Sequence, residues 1–556
     1  MDSIKNVLNS KIINELKKDI YIKYPYGTAG FRYHNTIILN DLAYTVGEII
    51  GFMNRYLGLS FGIMVTASHN PIDDNGVKIV AENGEMIGEE TEELITLYCN
   101  SKKGFRQFII DELEGLSTKI LRDQKLVTTE RLKVVIGADT RPSSIDILEV
   151  IEDGLISAFP LIDIDMIGHV STPIVHYQIM YPNQYMINIP IYFIKWLDDH
   201  QCEDTILIDC ANGVGGTVLS NMYTYLKHYM NCNIRNIGES LIEKQYLNHQ
   251  CGSEYVHKER KLPISFISDN DHSYRIAHFD GDADRLIYSM INNETKEYHI
   301  IDGDKIGVLF AIFIQQELAI LDDFEKDYKT KIGFIQTAYA NGASTKFVEE
   351  KLNIETRYAA TGVKNLHHLA KNYDIGLYFE ANGHGTVLFS SDWLFRLEKY
   401  YRQLCLCKNN LKDCNFFRKI SAINNLYYMS KVINQFAGDA ITNLLVVEGI
   451  IHKTGITTEE WISLYDETPN ELWKVEVTDK SLFKPCDDET RLIEPADFQE
   501  QIDGIIDYYN RVNARCFVRP SGTENCVRIY CEADNMDAIK DIKTKINRIF
   551  KRFKNQ

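Results

Sequence analysis

The chain has 556 residues, of which 45% are hydrophobic and 25% charged, the composition of a folded, soluble protein with several domains. Its formal net charge of -18 disfavours nucleic acid as a partner, because binding to a phosphate backbone requires clustered Lys and Arg. Any anionic ligand must therefore be bound by a local concentration of positive charge.

The N-terminal residues 1–20 alternate apolar and charged side chains, which predicts an amphipathic helix and not a signal peptide. No later apolar run is long enough to cross a bilayer, so we expect no membrane partner. The twelve cysteines are scattered without C-x-x-C spacing, which argues against a zinc site and indicates reduced, mostly buried thiols. These features predict a cytoplasmic protein.

The first candidate site follows a β-rich run in FGIMVTASHNP. Asn70-Pro71 breaks regular structure and predicts that Ser68 lies on an exposed loop. A Ser-His dipeptide alone is more often part of a polar turn than a nucleophile, and no G-x-S-x-G sequence indicates hydrolase chemistry. Ser68 therefore becomes a candidate only in combination with other sites.

Strand-like and helix-like segments then alternate along the chain. TILIDC is followed by the turn ANGVGG and by VLSNMYTYLKHYM, and KIGFIQTAY is followed by ANGAS and TKFVEEKL. This order predicts an α/β fold with parallel sheets covered on both faces and ligand-binding loops at the carboxyl ends of the strands. Three such units fit before about residue 450.

The segment HFDGDADRLIYS contains three acids at alternate positions. An extended loop can direct Asp280, Asp282 and Asp284 at one cation, and without a cation the three carboxylates would repel one another. An EF-hand is disfavoured because its sixth position would be Arg285 and its twelfth Ile291. Three carboxylates with few other oxygen ligands suit Mg²⁺ completed by a phosphate oxygen or water.

Two later loops carry groups that suit a sugar phosphate. In LYFEANGHGTVLF, Glu380, Asn382 and His384 alternate in a loop between strands, where they can bind vicinal hydroxyls. CFVRPSGTENCVRIYCEA predicts strand, loop and strand, with the Arg519 guanidinium, hydroxyls and a glycine available to an anion, and Arg528 on the second strand. Alone, each loop would be an ordinary turn.

The C-terminal segment has a helical period. An apolar stripe predicts one amphipathic helix and a small α+β domain that closes the chain; its members are Ile539, Ile542, Ile546, Ile549 and Phe553. Changes of pattern place domain boundaries near residues 192, 298 and 452. The predicted organisation is three α/β domains and one α+β domain, over residues 1–192, 193–298, 299–452 and 453–556.

In order, the four loops around Ser68, Asp280, Glu380 and Arg519 resemble the signature loops of the α-D-phosphohexomutase superfamily. The resemblance implies a four-domain architecture, three doubly wound α/β domains and a C-terminal α+β domain around a central cleft. It also implies that Ser68 carries a phosphoryl group, and that Mg²⁺ is held by Ser68 and the three aspartates. GTAGFR, at residues 27–32, is similar to the family's early active-site loop.

The resemblance further implies roles for individual residues. The implied catalytic residues are Ser68, His69, Lys78, Arg32 and Arg285. The implied sugar-binding residues are Thr361, Gly362, Val363, Glu380, Asn382 and His384. The implied phosphate-binding residues are Arg519, Ser521, Gly522, Thr523 and Arg528. Lys78 and His69 are both candidates for the acid/base, and the sequence does not rank them.

The order of two motifs resembles the acetylglucosamine branch of the superfamily, because TASHNP precedes GADTRPSS, at residues 137–144. EANGHG, QTAYANGAST, TGVK, LNHQCGSEYV and NQFAGDA are similar to the same branch. The implied function is interconversion of N-acetylglucosamine 6-phosphate and 1-phosphate through a phosphoserine and a glucosamine-type 1,6-bisphosphate, which supplies UDP-N-acetylglucosamine synthesis.

The expected partner is therefore a small-molecule sugar phosphate, and the oligomeric state stays open between monomer and dimer. Three alternatives also stay open. They are a phosphoglucomutase or phosphomannomutase, a non-catalytic sugar-phosphate-binding homologue, and a divalent-metal phosphatase in which water accepts the phosphoryl group.

Overall fold

A computed structural model describes residues 22–27, 30–34, 36–101, 132–238, 240–267, 274–292, 295–406, 414–521 and 525–553. The helix predicted within residues 1–20 lies outside the described residues, as do Gly522 and Thr523. The chain divides into two compact units. The first comprises Met1–Ile191, Asp204–Arg285 and Phe436–Ile441, and the second comprises Tyr192–Glu203, Leu286–Gln435 and Thr442–Gln556.

The first sheet of the first unit has the strand order β1-β3-β2-β4-β5. Its strands are β1 (Phe31–Tyr33), β2 (Phe61–Val65), β3 (Asn75–Val80), β4 (Lys133–Ala138) and β5 (Asp163–His169). β2, β4 and β5 are parallel, whereas β1 and β3 are antiparallel to their neighbours. Every residue of β2 is buried, as expected for a strand covered on both faces.

Five helices lie between these strands or after the last of them. They are α1 (Thr36–Leu57), α2 (Glu89–Asn100), α3 (Ser144–Ala158), α4 (Thr172–Met180) and α5 (Tyr185–Trp196). Two glycines allow α1 and α3 to pack closely. A Cβ on Gly47 would lie 2.3 Å from the Ile151 carbonyl oxygen, and a Cβ on Gly154 would lie 2.2 Å from that of Tyr44. These helices and the first sheet enclose one hydrophobic core.

A second group of parallel strands in the first unit has β6 (Thr205–Asp209) between β7 (Asn231–Arg235) and β8 (Ile276–Phe279). The helices of this part are α6 (Val214–Leu226), α7 (Leu241–Lys244) and α8 (Gly252–Glu259). The strand, turn and helix predicted from TILIDC onwards are confirmed by β6 and α6. The segment that contains the three aspartates directly follows β8.

The second unit begins with an antiparallel pair, β9 (Leu286–Ile291) and β10 (Tyr298–Ile301). A four-stranded sheet has the order β12-β11-β13-β14. Its strands are β11 (Ile332–Thr337), β12 (Glu355–Ala359), β13 (Ile375–Phe379) and β14 (Gly385–Phe389). β14 is antiparallel to β13, and the other pairs are parallel.

The helices of this part are α9 (Gly303–Ile320), α10 (Asp322–Tyr328), α11 (Gly342–Glu350), α12 (Val363–Ala370), α13 (Ser391–Leu406), α14 (Cys414–Val432), α15 (Ala440–Thr454) and α16 (Thr458–Ile462). The predicted succession from KIGFIQTAY to a helix is confirmed by β11 and α11. The Asp302 side chain starts α9 by accepting from the Lys305 N–H.

The C-terminal part contains a three-stranded antiparallel sheet and a two-stranded ribbon. Its elements are β15 (Asn470–Glu476), β16 (Lys484–Pro485), β17 (Leu492–Glu494), α17 (Ala496–Tyr508), β18 (Arg515–Pro520), β19 (Cys526–Glu532) and α18 (Met536–Phe553). The predicted stripe is confirmed for its four isoleucines, which are buried, and the Phe553 side chain lies outside the described residues. The α+β character of this part is therefore confirmed.

The α/β character predicted for the preceding parts is likewise confirmed, whereas the boundaries at residues 192, 298 and 452 stay predictions. Within the described ranges, no helix combines the length and the apolar character needed to cross a bilayer.

Candidate active site

Ser68 lies in a tight turn directly after β2. The turn spans residues 67–70 and is closed by the Asn70 N–H, which donates to the Ala67 carbonyl oxygen at 3.0 Å. Ser68 Oγ donates to Asp280 Oδ2 at 2.8 Å. The prediction of an exposed loop is wrong, because Ser68 is only 1% exposed. The loop is covered because its polar groups bond to side chains from other segments of the first unit.

The three aspartates form a compact cluster of buried acids. One carboxylate oxygen from each of Asp280, Asp282 and Asp284 lies within 4.8 Å of the others. Asp282 Oδ1 is buried and receives no hydrogen bond from the described residues. Carboxylate oxygens are the ligands that Mg²⁺ prefers in proteins. These residues therefore fit the predicted metal.

The backbone of this segment is turned and not extended, which corrects the prediction. The Ala283 N–H donates to the Asp280 carbonyl oxygen at 3.1 Å, and Ala283 has a φ of 56°. Asp280 Oδ1 accepts from the backbone N–H groups of Asp284 and Arg285 at 3.0 and 3.1 Å. The physical reason is that an aspartate side chain readily bonds to N–H groups further along the chain and so stabilises a turn.

Lys78 on β3 places a positive charge against two of the acids. Its Nζ lies 2.7 Å from Asp282 Oδ2 and 3.2 Å from Asp284 Oδ2. Burial lowers the pKa of Lys78, but the two carboxylates outweigh burial and raise the pKa above its usual value. Lys78 is therefore an ammonium group that balances part of the negative charge.

The acids differ in their affinity for protons. Burial, Asp284 and Asp282 raise the pKa of Asp280 well above its usual range. Burial and Asp284 also raise the pKa of Asp282, but the Lys78 charge and hydrogen bonds from Lys78 and Thr172 outweigh them and lower it. Thr172 Oγ1 donates to Asp282 Oδ2 at 2.6 Å. A bound dication would favour the charged form of all three acids.

Arg285 joins the aspartates to Glu254 on α8. Its Nη1 lies 3.1 Å from Glu254 Oε2, and its Nε lies 3.9 Å from Asp280 Oδ2 and 3.8 Å from Asp284 Oδ1. His69 Nε2 lies 3.9 Å from Glu254 Oε1. Burial and then Arg285 lower the pKa of His69 to about 3. His69 is therefore a neutral imidazole at neutral pH, with a low affinity for a further proton.

Substitution of Glu254 tests this arrangement through its pH dependence. Burial raises the pKa of Glu254, but Arg285, His69 and Lys258 outweigh burial and lower it to about 2. A carboxylate with a lowered native pKa stabilises the fold fully above its unfolded pKa of about 4.3, and loses this contribution as the pH falls through the native pKa. We expect Glu254→Gln to lower the free energy of unfolding by about 1–2 kcal/mol at neutral pH.

Urea unfolding between pH 7 and pH 3 measures this difference between wild type and the variant. The difference should be largest above about pH 5 and shrink towards pH 3. Glu259→Gln is the matched control, because Glu259 lies on the same helix with its side chain 56% exposed. A difference for Glu254→Gln that stays constant down to pH 3 would contradict the expectation.

Arg32 on β1 contributes a further guanidinium to the first unit. Its Nη1 donates to Asn70 Oδ1 at 3.2 Å, and its Nε is buried without a hydrogen bond to any described residue. Burial and then Arg285 lower the pKa of Arg32. β1 pairs with β3, so that Arg32 faces Gly76 and stands near Lys78 in the sheet. The structure thus places Arg32 against the Ser68 turn, through Asn70, and Lys78 against the aspartates.

In the second unit, the predicted sugar loop connects β13 and β14. Asn382 Nδ2 donates to Glu380 Oε2 at 3.1 Å, and Asn382 Oδ1 accepts from the His384 N–H at 3.0 Å. The Glu380 N–H donates to the His384 carbonyl oxygen at 2.9 Å. The three side chains are part-buried, so this loop presents preorganised polar groups.

Thr361 and Arg519, predicted in two different roles, share one carboxylate in the second unit. Glu489 Oε2 accepts from the Thr361 N–H at 2.9 Å and from Thr361 Oγ1 at 2.6 Å. The same oxygen lies 2.6 Å from Arg519 Nε. Gly362 follows with a φ of 119°, and Val363 begins α12. Glu489 therefore contacts groups that are predicted to bind a sugar phosphate.

Arg528 and Ser521 also lie on the predicted phosphate-binding hairpin formed by β18 and β19. Arg519 on β18 is directly opposite Arg528 on β19. Ser521 follows β18, is buried, and donates its N–H to the Cys526 carbonyl oxygen. Lys480 Nζ donates to the Ser521 carbonyl oxygen at 2.7 Å, which adds a cation that the sequence did not single out.

Sequence reasoning also missed four residues that form hydrogen bonds with the Ser68 turn, with Asp282 or with Arg285. They are Arg141, Thr172, Asn248 and Glu254. Arg141 lies in GADTRPSS, and Asn248 and Glu254 lie in LNHQCGSEYV. Both motifs are recognisable in the sequence, but there they serve only to assign the branch of the family and give their residues no role.

Matches to protein families agree with this organisation. Phosphoglucomutase/phosphomannomutase, alpha/beta/alpha domain I, matches residues 35–104, and the C-terminal domain of the same family matches residues 472–549. Phosphoacetylglucosamine mutase AMG1, domain III, matches residues 302–456. With the buried serine and the three aspartates, these matches define the class of the protein as an α-D-phosphohexomutase.

Individual relatives narrow the family. The phosphoacetylglucosamine mutase of Arabidopsis thaliana is 35% identical over 552 residues, covering 96% of each chain. The human enzyme of that name is 34% identical over 540 residues, covering 94% of this chain and 93% of the relative. The chain belongs to the phosphoacetylglucosamine mutase family, a family of isomerases.

Solved structures show the same architecture over the full length. An N-acetylglucosamine-phosphate mutase in its substrate complex has a TM-score of 0.84 at 34% identity, covering 98% of this chain and 99% of that chain. The Aspergillus fumigatus N-acetylphosphoglucosamine mutase, in complex with GlcNAc-6P and magnesium, has a TM-score of 0.82 at 33% identity, covering 97% and 98%. The α-D-phosphohexomutase fold implied by the sequence is therefore confirmed.

Proposed function

We propose that this chain interconverts N-acetylglucosamine 6-phosphate and N-acetylglucosamine 1-phosphate through a phosphorylated Ser68. Phosphoserine donates its phosphoryl group to the free hydroxyl of the substrate, which forms a 1,6-bisphosphate. The other phosphate then returns to Ser68. The observation that carries the proposal is the 2.8 Å hydrogen bond between the buried Ser68 Oγ and Asp280, within a cluster of three acids.

Mg²⁺ is part of the proposal, with Ser68, Asp280, Asp282 and Asp284 as its ligands. The acids have the donor chemistry for this ion, and the related Aspergillus fumigatus enzyme was solved with magnesium. When bound, the ion would neutralise negative charge on the phosphoryl group.

Side chains of the first unit supply the remaining charge and carry protons. Lys78 and Arg285 are cations within 4 Å of the acids, and we assign Arg32 as a further stabilising cation. His69 is neutral and Lys78 is protonated in this structure, so His69 would act as a base, weakened by its lowered pKa, and Lys78 as an acid. Both therefore stay candidates for the acid/base, in complementary protonation states.

The second unit supplies recognition groups. We assign the sugar hydroxyls to Thr361, Gly362, Val363, Glu380, Asn382 and His384. We assign the substrate phosphate to Arg519, Ser521, Gly522, Thr523 and Arg528. Family membership supports the N-acetylated sugar, and a glucosamine-type 1,6-bisphosphate follows as intermediate and activator. A cytoplasmic location and a role in supplying UDP-N-acetylglucosamine synthesis belong to the same proposal.

Turnover of three substrates tests the function. Purified protein with Mg²⁺ and a trace of glucose 1,6-bisphosphate is incubated with N-acetylglucosamine 6-phosphate, glucose 6-phosphate or mannose 6-phosphate. Phosphorus NMR follows each 1-phosphate and inorganic phosphate. We expect the highest kcat/KM on the N-acetylated substrate and no stoichiometric release of phosphate. Higher kcat/KM on glucose or mannose phosphate, or accumulation of inorganic phosphate, would contradict the proposal.

A further inference from the structure

Ser68 has an unusual backbone conformation for a residue with a side chain. Its φ of 53° lies in the left-handed region, which costs an L-residue roughly 1–2 kcal/mol. Such a conformation persists only where surrounding contacts fix it. The contacts that hold this turn therefore help to set where Ser68 Oγ points.

Two side chains bond to the same pair of carbonyl oxygens in this turn. Arg141 Nη2 donates to the Ser68 and Asn70 carbonyl oxygens at 2.8 and 3.0 Å. Asn248 Nδ2 donates to the same two oxygens at 2.9 and 3.1 Å. Each nitrogen carries two hydrogens and each carbonyl oxygen has two lone pairs, so the four contacts saturate both sides. We call Arg141 and Asn248 the carbonyl clamp.

The Ser68 N–H is fixed as well, by side chains behind the turn. It donates to Thr66 Oγ1 at 2.8 Å, and Thr66 Oγ1 donates to Asp139 Oδ2 at 2.7 Å. Asp139 Oδ2 also lies 3.3 Å from Arg141 Nε, and both side chains are buried. Two residues of GADTRPSS therefore act on the backbone of Ser68: Asp139 on the N–H through Thr66, and Arg141 directly on the carbonyl oxygen.

The clamp also contacts the aspartate segment. A Cβ on Gly281 would lie 2.8 Å from Asn248 Nδ2 and 2.8 Å from the Ser68 carbonyl oxygen. Only a residue without a side chain allows this approach. Asn248 thus lies where the serine turn meets the aspartates, although no group of the clamp contacts the Ser68 hydroxyl.

We propose that Arg141 and Asn248 are positioning residues, which hold Ser68 in its left-handed conformation and so direct Oγ towards Asp280 for phosphoryl transfer. This role rests on the proposed function of Ser68 as the phosphoryl carrier. It assigns a task to GADTRPSS and LNHQCGSEYV, which the proposed catalytic, sugar-binding and phosphate-binding residues do not use. Because the clamp acts on the nucleophile, its loss lowers kcat and leaves KM largely unchanged.

Asn248 is the better residue for the test, because it is only part-buried whereas Arg141 is 1% exposed and ion-paired in the core. Asn248→Asp keeps the shape of the side chain but puts a carboxylate oxygen in the place of Nδ2. This oxygen cannot donate to the two carbonyl oxygens and is repelled by them. Asn248→Gly removes both hydrogen bonds without backbone strain, since residue 248 has a φ of 56°. Asn353 is a matched control, because it has a φ of 52° and is exposed.

Steady-state kinetics and the rate of Ser68 phosphorylation are measured on these variants. Quenched samples with glucose 1,6-bisphosphate and Mg²⁺ are analysed by peptide mass spectrometry. We expect kcat and the labelling rate to fall about tenfold for Asn248→Gly and up to about 100-fold for Asn248→Asp, with KM within about threefold. Asn353→Asp and Asn353→Gly should match wild type.

Three outcomes overturn the positioning role and leave the proposed function in place. One is wild-type kcat and labelling in both Asn248 variants, and another is a change confined to KM. A wild-type protein that acquires no phosphate at Ser68 would instead overturn the proposed function, and the positioning role with it. A fall in kcat for Asn248→Asp that Asn248→Gly does not share would show charge repulsion alone, and would also overturn the clamp.

Discussion

Replacement of Ser68 by alanine should lower mutase turnover by roughly 10⁴-fold or more, because Ser68 Oγ is the group that we propose accepts and returns the phosphoryl group. Alanine removes only Oγ and its 2.8 Å hydrogen bond to Asp280. The carbonyl clamp contacts only the backbone of residue 68, so the variant should keep the turn and still bind substrate. The measurement is turnover of N-acetylglucosamine 6-phosphate, with binding of the same ligand followed by calorimetry.

The control for Ser68→Ala is another serine with a simple local role. Ser157 is exposed and its Oγ donates to the Gly154 carbonyl oxygen within α3, so Ser157→Ala should retain full turnover. Peptide mass analysis after incubation with glucose 1,6-bisphosphate adds a second readout. Phosphate should appear on the Ser68 peptide of the wild type and not on that of Ser68→Ala. Undiminished turnover in Ser68→Ala would contradict the phosphoserine mechanism.

Local sequence patterns predict which residues of this site carry the chemistry, but not the contacts between distant segments that hold those residues in place. Ser68 and the three aspartates are recognisable because each lies in a short polar segment after a β-rich run. Ser68 and Asp280 are 212 positions apart, and Asn248 and Ser68 are 180 positions apart. No local period reports a contact over such a separation. Burial of Ser68 follows from these distant partners, which explains why the prediction of an exposed loop is wrong.

In the fold, likewise, features set by neighbouring residues were predictable and features set by particular hydrogen bonds were not. The stripe of isoleucines in α18 and the strand-turn-helix order of β6 and α6 were predictable, since periodicity and turn residues act within a few positions. The turned shape of the aspartate segment was not predictable, because it depends on which N–H groups donate hydrogen bonds to Asp280 Oδ1. Alternate spacing is compatible with both an extended and a turned backbone.

The second large effect is expected for Asp280→Asn, which should lower the activity but should not lower the stability of the metal-free protein. Asp280→Asn removes one negative charge from the metal ligands and the acceptor of the Ser68 hydroxyl, so we expect activity to fall about 10³-fold. In the metal-free protein the same change relieves repulsion among three buried acids. The free energy of unfolding without Mg²⁺ should therefore be equal to that of wild type or higher.

Thermal unfolding with and without MgCl₂ separates these effects. An ion that binds the native state at about 100 times its Kd stabilises that state by about 2.7 kcal/mol. Wild type should gain stability on addition of Mg²⁺ and Asp280→Asn should gain little, whereas Asp146→Asn, an exposed acid in the first turn of α3, should behave as wild type. A variant that is destabilised without metal yet keeps the full Mg²⁺ response would contradict this account. Asp280 would then stabilise the turn through the charge of its carboxylate and would not be a ligand of the ion.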